Sequence, residues 1–91
     1  MNIPQITNIN TALSIFYNYS EIGNKEINTL FGNRSTATIS KLKKLVKTEM
    51  MNQDVLSFSA YKVNTAIAFK VWGIDVTDLE NRRKKIEELS L

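Results

Sequence analysis

The chain has 91 residues, of which 43% are hydrophobic and 23% charged, so we expect one small globular domain rather than a disordered segment. It contains no Cys and no His, which excludes disulfides, thiolate metal sites and histidine-based catalysis. We therefore expect no enzyme, no metal and no cofactor. The net charge of +3 is unevenly placed: between Glu26 and Glu49 there are five basic residues and no acid, which leaves −2 for the rest.

The ends of the chain carry no sign of export or membrane insertion. Residues 1–11 lack the charged and apolar regions of a signal peptide, and no apolar run approaches the roughly 18 residues that a membrane span needs. The sequence thus predicts a cytoplasmic protein that does not contact a membrane.

The first half of the chain predicts three helices. A loose arm or helix lead-in around Pro4 precedes a helix from about Asn10 to Tyr19, whose apolar residues recur at helical spacing. Asn24 is the expected N-cap of a short second helix that Gly32 ends. Ser35 is the expected N-cap of a third helix, from Thr36 to about Met50.

The third helix is predicted to be amphipathic. At about 100° per residue, its apolar residues form one side and its small and basic residues the other. The predicted core positions are Ile39, Leu42, Leu45, Val46 and Met50.

The second half predicts two more helices after a segment of uncertain type. Residues 55–61 are rich in strand-forming residues and are expected to form a short strand or an extended loop over the core. Asn64 or Thr65 is expected to cap a fourth helix that Gly73 ends, and Thr77 and Glu80 have the spacing of a capping box for a fifth. The aromatic residues expected to pack in the core are Tyr61, Phe69 and Trp72.

Helices 2 and 3 carry the most informative pattern. Glu26-Ile27-Asn28-Thr29-Leu30-Phe31-Gly32, then Ser35, then Thr38-Ile39-Ser40-Lys41-Leu42-Lys43-Lys44, resembles the helix-turn-helix of phage and bacterial transcription regulators. Asn28 stands where that family usually has Ala, and the turn is one residue longer. The resemblance implies a mainly α fold, a small helical bundle over residues 1–91, with the helix-turn-helix at about 24–50 and the C-terminal helices at about 64–89.

The resemblance also implies double-stranded DNA as the partner, with the third helix in the major groove. The basic side of the third helix is unusual for a helix face that contacts only solvent, because Lys43 and Lys47 repel each other at i, i+4 without a compensating acid. The residues expected to face the groove are Ala37, Ser40, Lys41 and Lys44. Those expected to contact phosphates are Arg34, Thr36, Lys43 and Lys47.

Alternatives to a small transcriptional regulator stay open from sequence. The same motif suits a phage or mobile-element protein that binds DNA for packaging, replication or excision, and the basic helix also suits an acidic protein partner. The C-terminal helices are expected to complete the core or to form a homodimer contact through Leu79, Ile86 and Leu89. The basic run from Arg82 to Lys85 is bracketed by acids and is interpreted as a surface helix.

Overall fold

The computed structural model describes residues 2–89, which form five helices and one two-stranded antiparallel sheet. The elements in chain order are α1 (Ile9–Asn18), β1 (Glu21–Ile22), α2 (Asn24–Phe31), α3 (Thr36–Asn52), β2 (Val63–Asn64), α4 (Thr65–Val71) and α5 (Val76–Leu89). The predicted mainly α class is confirmed. In this part of the chain no helix is long and apolar enough to cross a membrane.

The N-terminal arm, residues 2–8, packs against the helices and does not extend freely into solvent. The Thr7 N–H donates to the Leu30 carbonyl at 3.1 Å, which ties the arm to the end of α2. Isoleucines of the arm contact the core. Asn8 then caps α1 by accepting a first-turn N–H at 3.0 Å. The arm therefore joins α1 and α2 on the side where α2 ends.

The start and end of α2 are fixed by glycines. The predicted cap, Asn24, is wrong: the cap is Gly23, whose N–H donates to the Glu26 carboxylate at 2.8 Å. The predicted end at Gly32 is confirmed, and its φ of +78° lies in the left-handed region that favours glycine. A Cβ at Gly32 would also lie 2.9 Å from the Thr7 methyl carbon, so neither the backbone nor the space suits a larger residue.

Asn28 organises the turn between α2 and α3. Its carbonyl accepts the N–H groups of Gly32 at 2.7 Å and Asn33 at 3.1 Å, and its side-chain oxygen accepts the Arg34 N–H at 3.1 Å. An alanine at this position could not accept the Arg34 N–H. The asparagine therefore stabilises the longer turn. Ser35 then caps α3, as predicted, by accepting the N–H of its first turn at 3.2 Å.

The segment after α3 is a loop, and the strand comes after it. Of the two predicted forms of residues 55–61, the loop is present and the strand is not: the bridge residues are Val63 and Asn64, which pair with Ile22 and Glu21 of β1. The loop also leaves Tyr61 80% exposed, which corrects its predicted place in the core. We call residues 53–62 the connecting loop. Its apolar side chains point mostly to solvent, so it covers little of the core.

The C-terminal helices complete the bundle. Asn64 caps α4 as predicted, with its side chain accepting an N–H at 2.9 Å. The predicted Thr77 capping box is wrong, because α5 starts at Val76 and the cap is Asp75, whose carboxylate accepts the Asp78 N–H at 3.1 Å. Leu79 is buried in the same core and is unavailable to a partner, whereas Leu89 is 86% exposed. The homodimer therefore stays a prediction that involves only the later part of α5.

The core lies between α3, α4 and the first two helices. Trp72 is central, since its indole N–H donates to the Leu42 carbonyl at 3.2 Å and its ring meets that of Phe31 edge-on at 5.3 Å. Phe69 packs against Phe16 at 5.2 Å. The fully buried large side chains are Leu13, Ile22, Ile27, Leu30, Phe31, Leu42, Val46, Val63 and Phe69. This packing covers one side of α3 and leaves its opposite side exposed to solvent.

Candidate nucleic-acid interface

The solvent side of α3 is basic and continuous. Its buried side rests on the core through Ile39, Leu42, Val46 and Met50. The opposite side is exposed along the helix, which at 17 residues is about 25 Å long. We call this side the basic face; its exposed residues are Ala37, Ser40, Lys41, Lys44, Leu45, Lys47 and Thr48.

Two shallow hollows on the basic face show how the side chains group. One, of about 240 Å³, is lined by Lys41, Lys44, Leu45 and Thr48. The other, of about 250 Å³, is lined by Ser40, Lys43, Lys44 and Lys47. Lys44 is the residue common to both, so it lies at the middle of the face.

The predicted groove and phosphate residues are interleaved rather than separate. Ser40, expected at the groove, shares a hollow with Lys47, expected at phosphate. Thr36 and Ala37 are exposed in the first turn of α3, beside the cap. The structure thus brings the lysines and Ser40 together and places the other two at the N-terminal end of the same helix.

Leu45 corrects the prediction of the core. It is 41% exposed and lines the first hollow between the lysines. At about 100° per residue it lies about 120° from Ile39, near the edge of the apolar side, whereas Lys43 lies only about 40° away. These angles place Leu45 at the boundary between the buried and the exposed side of α3.

Lys43 is held by its own chain. Its Nζ donates to the Tyr61 carbonyl at 2.7 Å and to the Asn24 side-chain oxygen at 3.1 Å. Partial burial is the main cause that lowers the pKa of Lys43, and the charge of Lys47 lowers the pKa further. Lys43 therefore joins α3 to the start of α2 and to the connecting loop, a role that its predicted phosphate contact did not include.

Arg34 is positioned by the turn but keeps part of its guanidinium exposed. Its Nε donates to the Phe31 carbonyl at 3.1 Å, one of the last carbonyls of α2. The residue remains exposed, and the two terminal nitrogens of the guanidinium are the groups that can reach a phosphate or a base edge. Arg34 thus lies at the N-terminal end of the basic face with its orientation set.

The lysines of the basic face are not neutralised by acids. Within residues 2–89 the ion pair is between Arg82 and Asp78 on α5, at 2.9 Å, and none involves α3. Glu26, the nearest preceding acid in sequence, is turned toward the N–H of Gly23. The charge of the basic face is consequently available to an external anion.

Comparisons of this chain with protein-family models, with curated proteins and with solved structures gave no significant match. Function is accordingly inferred from the geometry and charge of α3 and the segments that surround it.

Proposed function

We propose that this protein binds double-stranded DNA with sequence preference, by placing the basic face of α3 in the major groove, and that it acts as a small regulator. The observation that carries the proposal is a helix supported by the core on one side and lined on the other with lysines that have no acidic partner among the described residues. A helix of about 10–12 Å diameter fits a groove about 12 Å wide. Unpaired cations beside it release counterions from phosphates on binding.

The two hollows support the assignment of some residues of the basic face to the bases and of others to the phosphates. Lys41 and Lys44 can donate to guanine edges, while the apolar Leu45 and the methyl of Thr48 between them suit a thymine methyl. The small residues Ala37 and Ser40 allow the N-terminal part of α3 to approach the bases. Three residues at the margin of the basic face are assigned to phosphates: Arg34 and Thr36 at its N-terminal end, and Lys47 along its edge.

The salt dependence of binding to a duplex of about 30 bp tests this proposal. With two cationic phosphate contacts per molecule, from Arg34 and Lys47, the slope of log K against log salt should be about −1.8. Lys47→Ala should reduce the slope by about 0.9, because one contact is lost. Lys43→Ala is the matched control, and it should change the slope much less because its amine is held by Tyr61 and Asn24. Fluorescence anisotropy of a labelled duplex measures all three proteins.

A slope near zero for the natural chain, or loss of binding in the presence of excess unrelated duplex together with tight binding to an acidic protein, would contradict the proposal. Equal changes for the two variants would contradict the assigned roles of Lys43 and Lys47 while leaving DNA binding intact.

A further inference from the structure

The connecting loop exposes an unusual amount of apolar surface. Phe58 is 98% exposed, Leu56 89% and Tyr61 80%, although all three lie within six residues. Single exposed apolar residues are ordinary, whereas several large ones on one short loop indicate an interaction site.

The loop is built to present these side chains. The Glu21 carboxylate accepts the N–H groups of Phe58 at 2.8 Å and Ser59 at 3.3 Å, across 37 and 38 residues of chain. The Ser57 hydroxyl donates to the Lys62 carbonyl at 2.9 Å and closes the base of the loop. The backbone is therefore held at both sides of Phe58 while its ring extends into solvent.

The loop borders the basic face at one edge, through the half-buried Lys43. The Lys43 amine that bonds the Tyr61 carbonyl at 2.7 Å lines the same hollow as Ser40, Lys44 and Lys47. A duplex held by α3 would consequently run beside the loop. The loop itself contains one acid and one base, Asp54 and Lys62, so it adds no net attraction for phosphate. The largest exposed groups of the loop are its apolar side chains.

We propose, on the premise that α3 binds DNA as above, that Phe58 and Leu56 form an apolar wedge that enters the neighbouring minor groove of the same duplex. Apolar side chains of this kind insert between base steps, partly unstack them and bend the DNA by about 20–90°. Phe58 is the more exposed of the two and has an aromatic face for stacking on a base. The wedge thus reads how easily a step deforms, in addition to the base edges that α3 contacts.

Phe58→Ala tests the wedge, and Tyr19→Ala is its matched control, because Tyr19 is an exposed aromatic residue that lies outside the connecting loop and the basic face. The probe is a duplex of about 30 bp with a donor dye at one end and an acceptor at the other, so that energy transfer reports bending and anisotropy reports affinity. The natural chain should bend the duplex. Phe58→Ala should bind it roughly 10-fold more weakly and leave it straight, with the salt slope unchanged because no charge is removed. Tyr19→Ala should behave as the natural chain.

The other outcomes separate this inference from the proposed function. If the natural chain binds with the expected salt slope but Phe58→Ala binds and bends the duplex equally well, the wedge is wrong and DNA binding by α3 stands. If the natural chain does not bind the duplex, both are wrong. If Phe58→Ala instead lowers self-association in sedimentation experiments and leaves the bend intact, the loop is a contact between copies of the chain and the wedge is wrong.

Discussion

Helices α3 and α5 each carry four basic side chains but differ in what surrounds them. On α3 they share the helix with one acid, Glu49, whereas α5 has four acids for its four bases. On α5 Arg82 forms an ion pair with Asp78 at 2.9 Å, and each of the other three bases has an acid three or four residues away in the sequence. Among residues 2–89 no acid forms an ion pair with a lysine of α3, and Lys43 bonds neutral oxygens instead.

The comparison shows that a count of basic residues is a poor guide to anion binding. Acids placed one turn away cancel the field of α5 within a few ångströms, and the remaining charges are screened beyond about 10 Å at 0.1 M salt. The field of α3 has no such cancellation along its exposed side. Binding of a polyanion should therefore depend strongly on one of the two helices and little on the other.

Charge reversal on the two helices should give the largest difference. Lys41→Glu with Lys44→Glu should weaken duplex binding at least about 100-fold, since two contacts become repulsive. The matched pair is Lys84→Glu with Lys85→Glu, which changes the total charge equally at exposed positions of α5. That pair should weaken binding only a few-fold, through the net charge of the protein. Anisotropy titrations at one salt concentration measure both, and equal losses would mean that total charge, and not α3, attracts DNA.

The next largest effect is expected on the free energy of unfolding, when the contact of α5 with the core is removed. Leu79→Ala should reduce the free energy of unfolding by about 2 kcal/mol, because a buried leucine leaves a cavity between α5 and the core. Leu89→Ala should change it by less than about 0.5 kcal/mol, as expected for an exposed position. Urea denaturation followed by circular dichroism gives both values. A large loss for Leu89→Ala would indicate that the end of α5 is covered by a second copy, which sedimentation equilibrium would detect.

The smallest effect concerns the contact between α1 and α5. The Tyr17 hydroxyl donates to the Glu80 carboxylate, and this bond is the main cause that raises the pKa of Tyr17, followed by desolvation and the charge of Glu80, while Arg83 lowers it. The protonated tyrosine is thus favoured in the folded state. Its stabilisation is complete below about pH 10, the ordinary pKa, and is lost as pH rises through the higher folded value.

Tyr17→Phe should therefore lower stability slightly at pH 8 and flatten its decline above about pH 10. Thermal melts of the two proteins from pH 8 to 11 test this. The lowered pKa of Lys43 works in the opposite direction, since its deprotonation relieves a cost of folding, but it is common to both proteins and cancels in their difference. Tyr19→Phe, at a second exposed tyrosine, is the control and should follow the natural chain. A parallel decline for Tyr17→Phe would show that the bond has no effect on stability.

The helices could be predicted from sequence because their signals are local. Ser35 and Asn64 cap the helices that directly follow them, and Gly32 ends the helix directly before it. The periodicity of α3 likewise identified most of its buried side. Leu45 was misplaced because it lies at the edge of the apolar side, where a small rotation decides between core and surface.

The features that could not be predicted depend on partners distant in sequence. Glu21 fixes the connecting loop 37 residues later, and nothing near Glu21 or Phe58 indicates that pairing. Lys43 likewise meets Asn24 and Tyr61 from two other segments. The partners of each bond come close only when β1 and β2 are paired. These contacts therefore follow from the tertiary structure rather than from local preference.

Trp72 gives the protein an internal optical reporter of α3. It is the single tryptophan of the chain, it is buried, and its indole nitrogen bonds the α3 backbone at Leu42 on the side away from the basic face. Its fluorescence should therefore be emitted at short wavelength in the folded protein and shift to longer wavelength when α3 leaves the core. A ligand on the exposed side of α3 would touch no part of the indole, so a change in this emission on binding would report movement of the helix itself.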